Sequence, residues 1–403
     1  MRKRNLSSRL KWLLRNYNNF PAITVRSEMT KTRKTIVHAI RQGKIGGGES
    51  HVLSLVSRLN RELYRNVVIC FTHGPMIDAL KDLDIDYHVI PTTIPFNVTI
   101  VNELTSILKL EKADLIHAHG TRAASNVFMG AARLDIPWVY TIHGWSFHSD
   151  QNAFISFIRK TSERWLTLKA SKNICVSYAN ENLGKKLIEL KNSTVIHNGV
   201  DFIRFNPTIN FRKTIREENG IPEESYCVAF IVRMTKQKDP LNTIRAISLS
   251  LNQNRALHFL IAGDGELLEP SKRLATELKV DKHISFLGFR TDVPELLSAC
   301  DAFILPSLWE GLPIGIIEAM AMKKTIIVSD IEANAELISH EKEGILIPRE
   351  NPEALSQALI EVSTNENSSK EMAEAAYQKS QALFNLDNMA IRVGHIYQSI
   401  LHH

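Results

Sequence analysis

From Lys34 onward the chain alternates short apolar runs with longer amphipathic stretches, and this rhythm excludes most folds. Thr35–Ile40, Val67–Phe71, Leu115–Ala118 and Trp138–Ile142 have the length and composition of buried strands. Between them, Glu49–Leu63 places Val52, Leu55, Val56 and Leu59 on one helical face, and Arg122–Leu134 reads the same way. A second series begins at Tyr226–Val232 and runs through His258–Ala262, Ile284–Leu287, Ala302–Leu305, Thr325–Val328 and Gly344–Ile347. Strands alternating with helices imply parallel sheets covered on both faces. The polar stretch from about 205 to 225 is a linker candidate, and the helix of about 386–401 has no strand after it. The expected organisation is α/β, with doubly wound domains over 34–204 and 205–385. Residues 386–403 are expected to cross back to the first domain.

The basic residues are unevenly placed. Residues 1–34 carry ten Lys or Arg against one acid, Glu28, so the net charge of +6 leaves −3 for the rest. Leu6, Leu10, Trp12, Leu13 and Leu14 make this arm, residues 1–33, partly amphipathic, suited to an anionic membrane surface. The body shows no basic stripe with stacking aromatics, so nucleic acid is not an expected partner. No run of 18 apolar residues and no signal-peptide core occur, which gives a cytoplasmic expectation. Cys70, Cys175, Cys227 and Cys300 are far apart in the chain, lack zinc spacing and read as buried reduced thiols.

In open parallel sheets, ligands bind beyond the carboxyl ends of the strands, and the unusual residues fall there. Gly46, Gly47 and Gly48 follow the first strand and open a helix, which lets a pyrophosphate approach the backbone. The order is neither G-x-G-x-x-G nor a phosphate-cleaving P-loop. Arg233 and Lys238 share one loop and suit a diphosphate; Lys236 is the less specific neighbour. His143 ends an apolar strand, and His117 and His119 end the one before. With His148 they match no zinc motif, so no metal is expected. Leu305–Met320 reads as strand, turn and helix, with Pro313 in the first helical turn and Ile314, Ile317 and Ala321 on one face. Glu310 sits in the turn, and Glu318 stands among Ile, Ala and Met, where a carboxylate must be paired or hold a polar ligand.

These segments together resemble the family 4 glycosyltransferases. Glu310–Met320 matches that family's E-x7-E motif, and Arg233 with Lys238 its diphosphate pair. Gly263-Asp264-Gly265, Phe286–Phe289, Asn198–Asp201, Gly46–Glu49 and His143-Gly144 match its other segments in order, from about Lys34 to residue 385. The family commonly has Gly where Val232 stands. The resemblance implies a GT-B fold, two Rossmann-like domains around a deep cleft. It implies a retaining, metal-independent transferase that needs no cofactor. The implied donor is a nucleotide sugar, UDP-linked by expectation. The implied acceptor is a glycan, lipid-linked, in lipopolysaccharide, capsule or other surface polysaccharide assembly at the inner membrane face. Arg233 and Lys238, with Gly46 and Gly47, would hold the diphosphate, and Glu318 the ribose. Glu310 and the backbone through Gly311, Leu312, Pro313 and Ile314 would line the donor sugar, and His143 would bind one of its hydroxyls. The alternatives are a soluble transferase making a small glycoside, a GT-B UDP-sugar epimerase and a non-catalytic sugar-nucleotide-binding module.

Overall fold

A computed structural model describes residues 33–41, 46–147, 151–254 and 256–402. The basic arm up to residue 32, residues 42–45 of the glycine loop and His148 lie outside the described residues. No helix among the described residues is long and apolar enough to cross a membrane.

The first half runs β1 (Lys34–Ile40), α1 (Gly47–Arg58), β2 (Tyr64–Cys70), α2 (Met76–Asp82), β3 (Asp86–Val89), α3 (Val101–Leu110), β4 (Leu115–His119) and α4 (Thr121–Leu134). It continues with β5 (Trp138–Ile142), α5 (Ala153–Lys169), β6 (Lys172–Cys175), α6 (Tyr178–Ile188) and β7 (Ser193–Val195). These strands form a seven-stranded sheet in the order β3-β2-β1-β4-β5-β6-β7. All its pairings are parallel, with Ile40 opposite both Cys70 and His119. β4 and β5 are buried along their whole length, as a sheet covered on both faces requires.

The second half runs α7 (Arg212–Glu218), β8 (Tyr226–Ile231), α8 (Pro240–Leu251), β9 (Leu257–Ala262), α9 (Leu268–Glu277), β10 (Ile284–Gly288), α10 (Val293–Ala299) and β11 (Ala302–Leu305). Then come α11 (Ile314–Ala321), β12 (Thr325–Ser329), α12 (Glu332–Leu337), β13 (Ile345–Ile347), α13 (Pro352–Thr364), α14 (Glu366–Leu383) and α15 (Leu386–Leu401). The sheet order is β10-β9-β8-β11-β12-β13, again all parallel. Each sheet reverses its strand order once, at β1/β4 and at β8/β11, which is where a doubly wound sheet opens a crevice for ligand.

Two segments cross between the sheets and lie side by side. Val200 donates its N–H to Phe384 O at 2.8 Å, and Leu386 donates back to Val200 O at 3.2 Å. α15 then packs on the first sheet: Leu386, Met389, Val393 and Tyr397 share a core with Ile36, Leu55, Leu115 and Val139.

Some local expectations differ from the structure. The stretch 205–225 is no slack linker. It holds α7 and the fully buried Arg216, whose guanidinium donates to the carbonyls of Pro222, Glu223, Ser225 and Ala299 and to Asp301. A polar sequence there hides a buried charge held by four carbonyls and one carboxylate. α14 has no counterpart among the expectations because it is polar on average, rich in Ser, Lys, Glu and Gln around a buried face of Met372, Ala373, Ala376 and Leu383. Pro313 is the N-cap, not a first-turn residue, and the buried face of α11 is Ile316, Ile317, Met320 and Ala321, with Ile314 only half-buried. Cys227 and Cys300 are distant in sequence, yet their sulfurs lie 3.2 Å apart; all four cysteines are buried and free.

Candidate active site

The carboxyl ends of β1, β4, β5, β8 and β11 bring the singled-out residues to one junction between the sheets. Gly46 caps α1 with no side-chain hydrogen bond, so the first N–H groups of that helix stay available. A Cβ on Gly46 would lie 2.2 Å from Arg233 Nη2, so the guanidinium of the second half rests against the glycine loop of the first. Arg233 is exposed. Its loop is braced from behind: Met234 N–H donates to Asp264 O at 3.0 Å, and Val232 N–H to Ala262 O at 2.9 Å. Gly263 and Gly265, at φ +140° and +156°, are required there, because a Cβ would lie 1.7 Å from Val232 O and 2.4 Å from Met234 O.

Lys238 and Glu310 bond to each other. Lys238 Nζ donates to Glu310 Oε1, and Gln237 Nε2 donates to Trp309 O at 2.8 Å and to Glu310 Oε2 at 3.3 Å. The two turns are further tied by Leu308 N–H to Gln237 O at 2.8 Å. Gly311 follows directly and touches the first half: a Cβ on it would lie 1.8 Å from the carbonyl oxygen of His143. Ser177 Oγ donates to Gly311 O at 2.8 Å, and Asn198 Nδ2 to Leu312 O at 3.0 Å. Pro313 leaves the start of α11 without a side-chain cap, so two uncapped helix N-termini, of α1 and α11, lie at this junction.

Glu318 is half-buried, and its carboxylate makes no hydrogen bond to a described residue. Burial pushes its pKa up to about 7, opposed only by Arg204. Such an acid has spare acceptor capacity for ligand hydroxyls.

His143 sits in a buried histidine network that sequence reasoning saw only in part. His38 Nε2 bonds Asn66 Oδ1 at 3.1 Å, His38 Nδ1 bonds His119 Nε2 at 3.2 Å, and His119 Nδ1 faces His143 Nε2 at 3.4 Å. With an amide oxygen as the first acceptor, His38 donates from Nε2, His119 from Nε2 and His143 from Nε2. That chain leaves His143 Nδ1 as a bare acceptor. His117 is held by Tyr397 and Thr141, each at 2.6 Å. His51 bonds Asn198 Oδ1 through Nδ1 at 2.9 Å, while its Nε2 is buried without a partner. Burial lowers the pKa of all five rings, His38 and His51 to about 4, so they are neutral at pH 7. The ring nitrogens of His51, His119 and His143 lie within 4.8 Å of one another, as do those of His38, His117 and His119. All three rings of the second set spend both nitrogens on hydrogen bonds, whereas the first keeps the unpartnered His51 Nε2, which makes it the better ligand set. His38 and His51 were not singled out in the sequence, since a lone histidine in a strand or helix carries no signal of what it meets.

Two parallel-sheet lobes meeting at their strand carboxyl ends, with uncapped helix N-termini and a basic loop facing each other, form the GT-B architecture of glycosyltransferases. Residues 45–204 match the family model "Glycosyltransferase Family 4", and residues 211–379 match "Glycosyl transferases group 1". The chain belongs to the family 4 glycosyltransferases. It is 29% identical over 345 residues to an Escherichia coli protein, the UDP-Gal:alpha-D-GlcNAc-diphosphoundecaprenol alpha-1,3-galactosyltransferase, covering 83% of this chain and 89% of that one. It is 27% identical to the Campylobacter jejuni N,N'-diacetylbacillosaminyl-diphospho-undecaprenol alpha-1,3-N-acetylgalactosaminyltransferase, over 68% of this chain and 74% of the relative. Among solved structures, Anabaena HepE in complex with UDP and glucose superposes with a TM-score of 0.81 at 20% identity, covering 91% of this chain and 100% of that chain.

Proposed function

We propose that the protein transfers a sugar from a UDP-sugar to a hydroxyl of a lipid-linked saccharide, with retention of anomeric configuration and without a metal ion. The observation that carries this reading is the Arg233 guanidinium against Gly46 and the start of α1, with Lys238 on the same loop. A diphosphate lying there meets two cations and free backbone N–H groups, which is the electrostatic task when a glycosyl–phosphate bond breaks. Glu318 then takes the ribose hydroxyls. Glu310, with the backbone from Gly311 to Ile314, lines the sugar. His143 accepts a hydrogen bond from a sugar hydroxyl at Nδ1.

In the reaction the bond from the anomeric carbon to the diphosphate oxygen breaks. The acceptor oxygen bonds to that carbon on the same face, and its proton passes to the leaving phosphate. The neutral histidines supply no proton at pH 7. The relatives' printed donor and diphosphoundecaprenol acceptors support the choice of substrates. A cytoplasmic enzyme peripheral on the inner membrane face, in surface polysaccharide assembly, fits those substrates.

The test is a panel of nucleotide sugars with a diphosphopolyprenyl saccharide acceptor. The expected result is transfer from a UDP-sugar, an α-linked product from an α-donor by NMR, and loss of transfer in Glu310→Ala. An inverted product, or unchanged turnover in that variant, overturns the mechanism. Comparing liposome binding with and without residues 1–33 tests the arm.

A further inference from the structure

We propose that α5 is a membrane-docking helix that lays an apolar face onto an anionic lipid surface and so brings a lipid-linked acceptor to His143; this rests on the acceptor reading above. Phe154, Phe157, Ile158 and Leu168 are 70%, 67%, 47% and 54% exposed, and Trp165 is 38% exposed. At 3.6 residues per turn they fall within an arc of roughly 100°. That stripe faces away from the protein, because Glu163 and Leu166 on the other side are fully buried. Monomer surfaces seldom expose so many large apolar groups on one helix without a partner.

The charges identify the partner. Lys169 borders the stripe on one side, and Arg164 and Lys160 on the other; Arg159 lies near the inner side. The one acid of the helix, Glu163, is buried. It accepts from Thr121 Oγ1 at 2.6 Å and from Tyr140 O–H at 2.9 Å. An exposed apolar stripe bordered on both sides by cations, of which Arg164 also pairs with Glu189 at 2.6 Å, is the pattern of a helix lying in the headgroup layer of an anionic bilayer. The apolar surface continues onto the next loop. Phe96 packs on Trp165 at 6.3 Å between ring centroids, and Val98, two residues on, is 69% exposed.

α5 is wired to the site. Arg159 Nη1 donates to Ser146 O at 2.6 Å, and Ser146 N–H donates to Glu163 Oε1 at 3.3 Å. Ser146 lies three residues after His143, so the docking helix and the acceptor side of the cleft share one loop. A saccharide on a lipid diphosphate anchored beside α5 has a short path to that loop.

The experiment uses the full chain and co-sedimentation with phosphatidylglycerol–phosphatidylcholine vesicles against pure phosphatidylcholine. The variants are the triple Phe154→Ser, Phe157→Ser, Ile158→Ser and the double Lys160→Glu, Lys169→Glu. UDP binding by calorimetry, expected unchanged, certifies their fold. The expected result is binding of the parent chain to anionic vesicles, lowered at least tenfold in both variants. Binding equal to the parent's in the triple variant overturns the proposal. So does binding abolished by removing residues 1–33 alone, or concentration-dependent self-association that the triple variant removes without any vesicle binding. Transfer to a water-soluble short-chain acceptor, retained in the variants, separates the two ideas. If vesicles bind through α5 but no lipid-linked acceptor is used, the acceptor reading fails and the docking face stands. If the lipid-linked acceptor is used and the α5 variants bind normally, the docking face fails alone.

Discussion

Lys238 and Glu310 form an ion pair between two turns of the second half, with only 18% and 7% of their side-chain surfaces exposed. The resemblance to the family implies separate duties, the lysine for diphosphate and the acid for the sugar. In the folded chain each is the other's partner, so a diphosphate bound as proposed would compete with Glu310 for the ammonium. Lys238→Met therefore has two effects. It removes a charge-assisted contact worth about 1.5–3 kcal/mol, tenfold to about a hundredfold in UDP affinity. It also leaves Glu310 buried with only Gln237 to donate, which lowers fold stability by on the order of 2 kcal/mol. Adding Glu310→Gln is expected to restore stability but not affinity. Calorimetry and thermal unfolding on the three variants separate the two roles.

Glu318, in the proposed role of ribose ligand, is expected to make donor binding pH-dependent. Its carboxyl titrates at about 7 in the folded protein against an ordinary 4.5. The folded state thus holds a proton that the unfolded chain releases. Its stabilising contribution is complete below about pH 4.5 and is lost as pH rises to about 7. Ribose hydroxyls donate to the ionised form, so binding UDP near pH 7 is expected to release part of a proton, seen as a buffer-dependent binding enthalpy. Glu318→Gln is expected to abolish that proton release and weaken UDP. In the absence of ligand above pH 7 it should raise the unfolding midpoint, since the desolvated charge is gone.

Both sheets and the crossing helix were legible because buried parallel strands are continuous apolar runs, and the E-x7-E stretch with Arg233 stood out by charge. What the sequence hid is pairing at a distance. Nothing local says that Arg216 is satisfied by five groups, that Gly311 abuts His143, or that His38, His51, His117, His119 and His143 converge. Such contacts are set by the packing of elements tens to hundreds of residues apart, which periodicity does not encode.

Gly311 is one of the points where the halves touch, and the demand for glycine there is steric. Gly311→Ala places a methyl 1.8 Å from His143 O, a backbone atom that cannot rotate aside. The halves must separate, stretching the Ser177–Gly311 and Asn198–Leu312 bonds. A shift of about 1 Å at reacting groups costs on the order of a hundredfold in rate. Gly48→Ala is the control: its Cβ meets the His143 ring at 3.8 Å, ordinary contact. Turnover is expected to fall at least about a hundredfold in the first and less than about fivefold in the second.

The proposed neutralisation of the diphosphate by Arg233 and Lys238 predicts that prolonged EDTA treatment leaves transfer unchanged. Among the described residues, the better opportunity for added Zn²⁺ is the nitrogens of His51, His119 and His143. Occupying them would take His143 from the sugar, so Zn²⁺ is expected to inhibit, and EDTA to reverse it. Loss of activity in EDTA with recovery on Zn²⁺ would reverse the assignment and make the histidines a working metal site.

The histidine network sets the acid limit of the fold. His38 and His51 have folded pKa values of about 4 against 6.5 for the ordinary ring, and His117, His119 and His143 lie lower than normal as well. The unfolded chain therefore binds more protons below pH 6.5. The stability these rings retain as neutral groups is full above that pH and is lost progressively as pH falls from 6.5 toward 4. Glu318 acts in the opposite sense over much of the same range, but it is one group against five. The unfolding midpoint is expected to fall steeply on acidification through pH 6. His119→Leu removes one titrating ring and also the acceptor that holds His143 Nε2–H. It should flatten the acid limb, lower turnover about tenfold to a hundredfold, and shift the His143 ¹⁵N resonances toward mixed tautomers. An unchanged ¹⁵N pattern in that variant would show that His119 does not set the His143 tautomer.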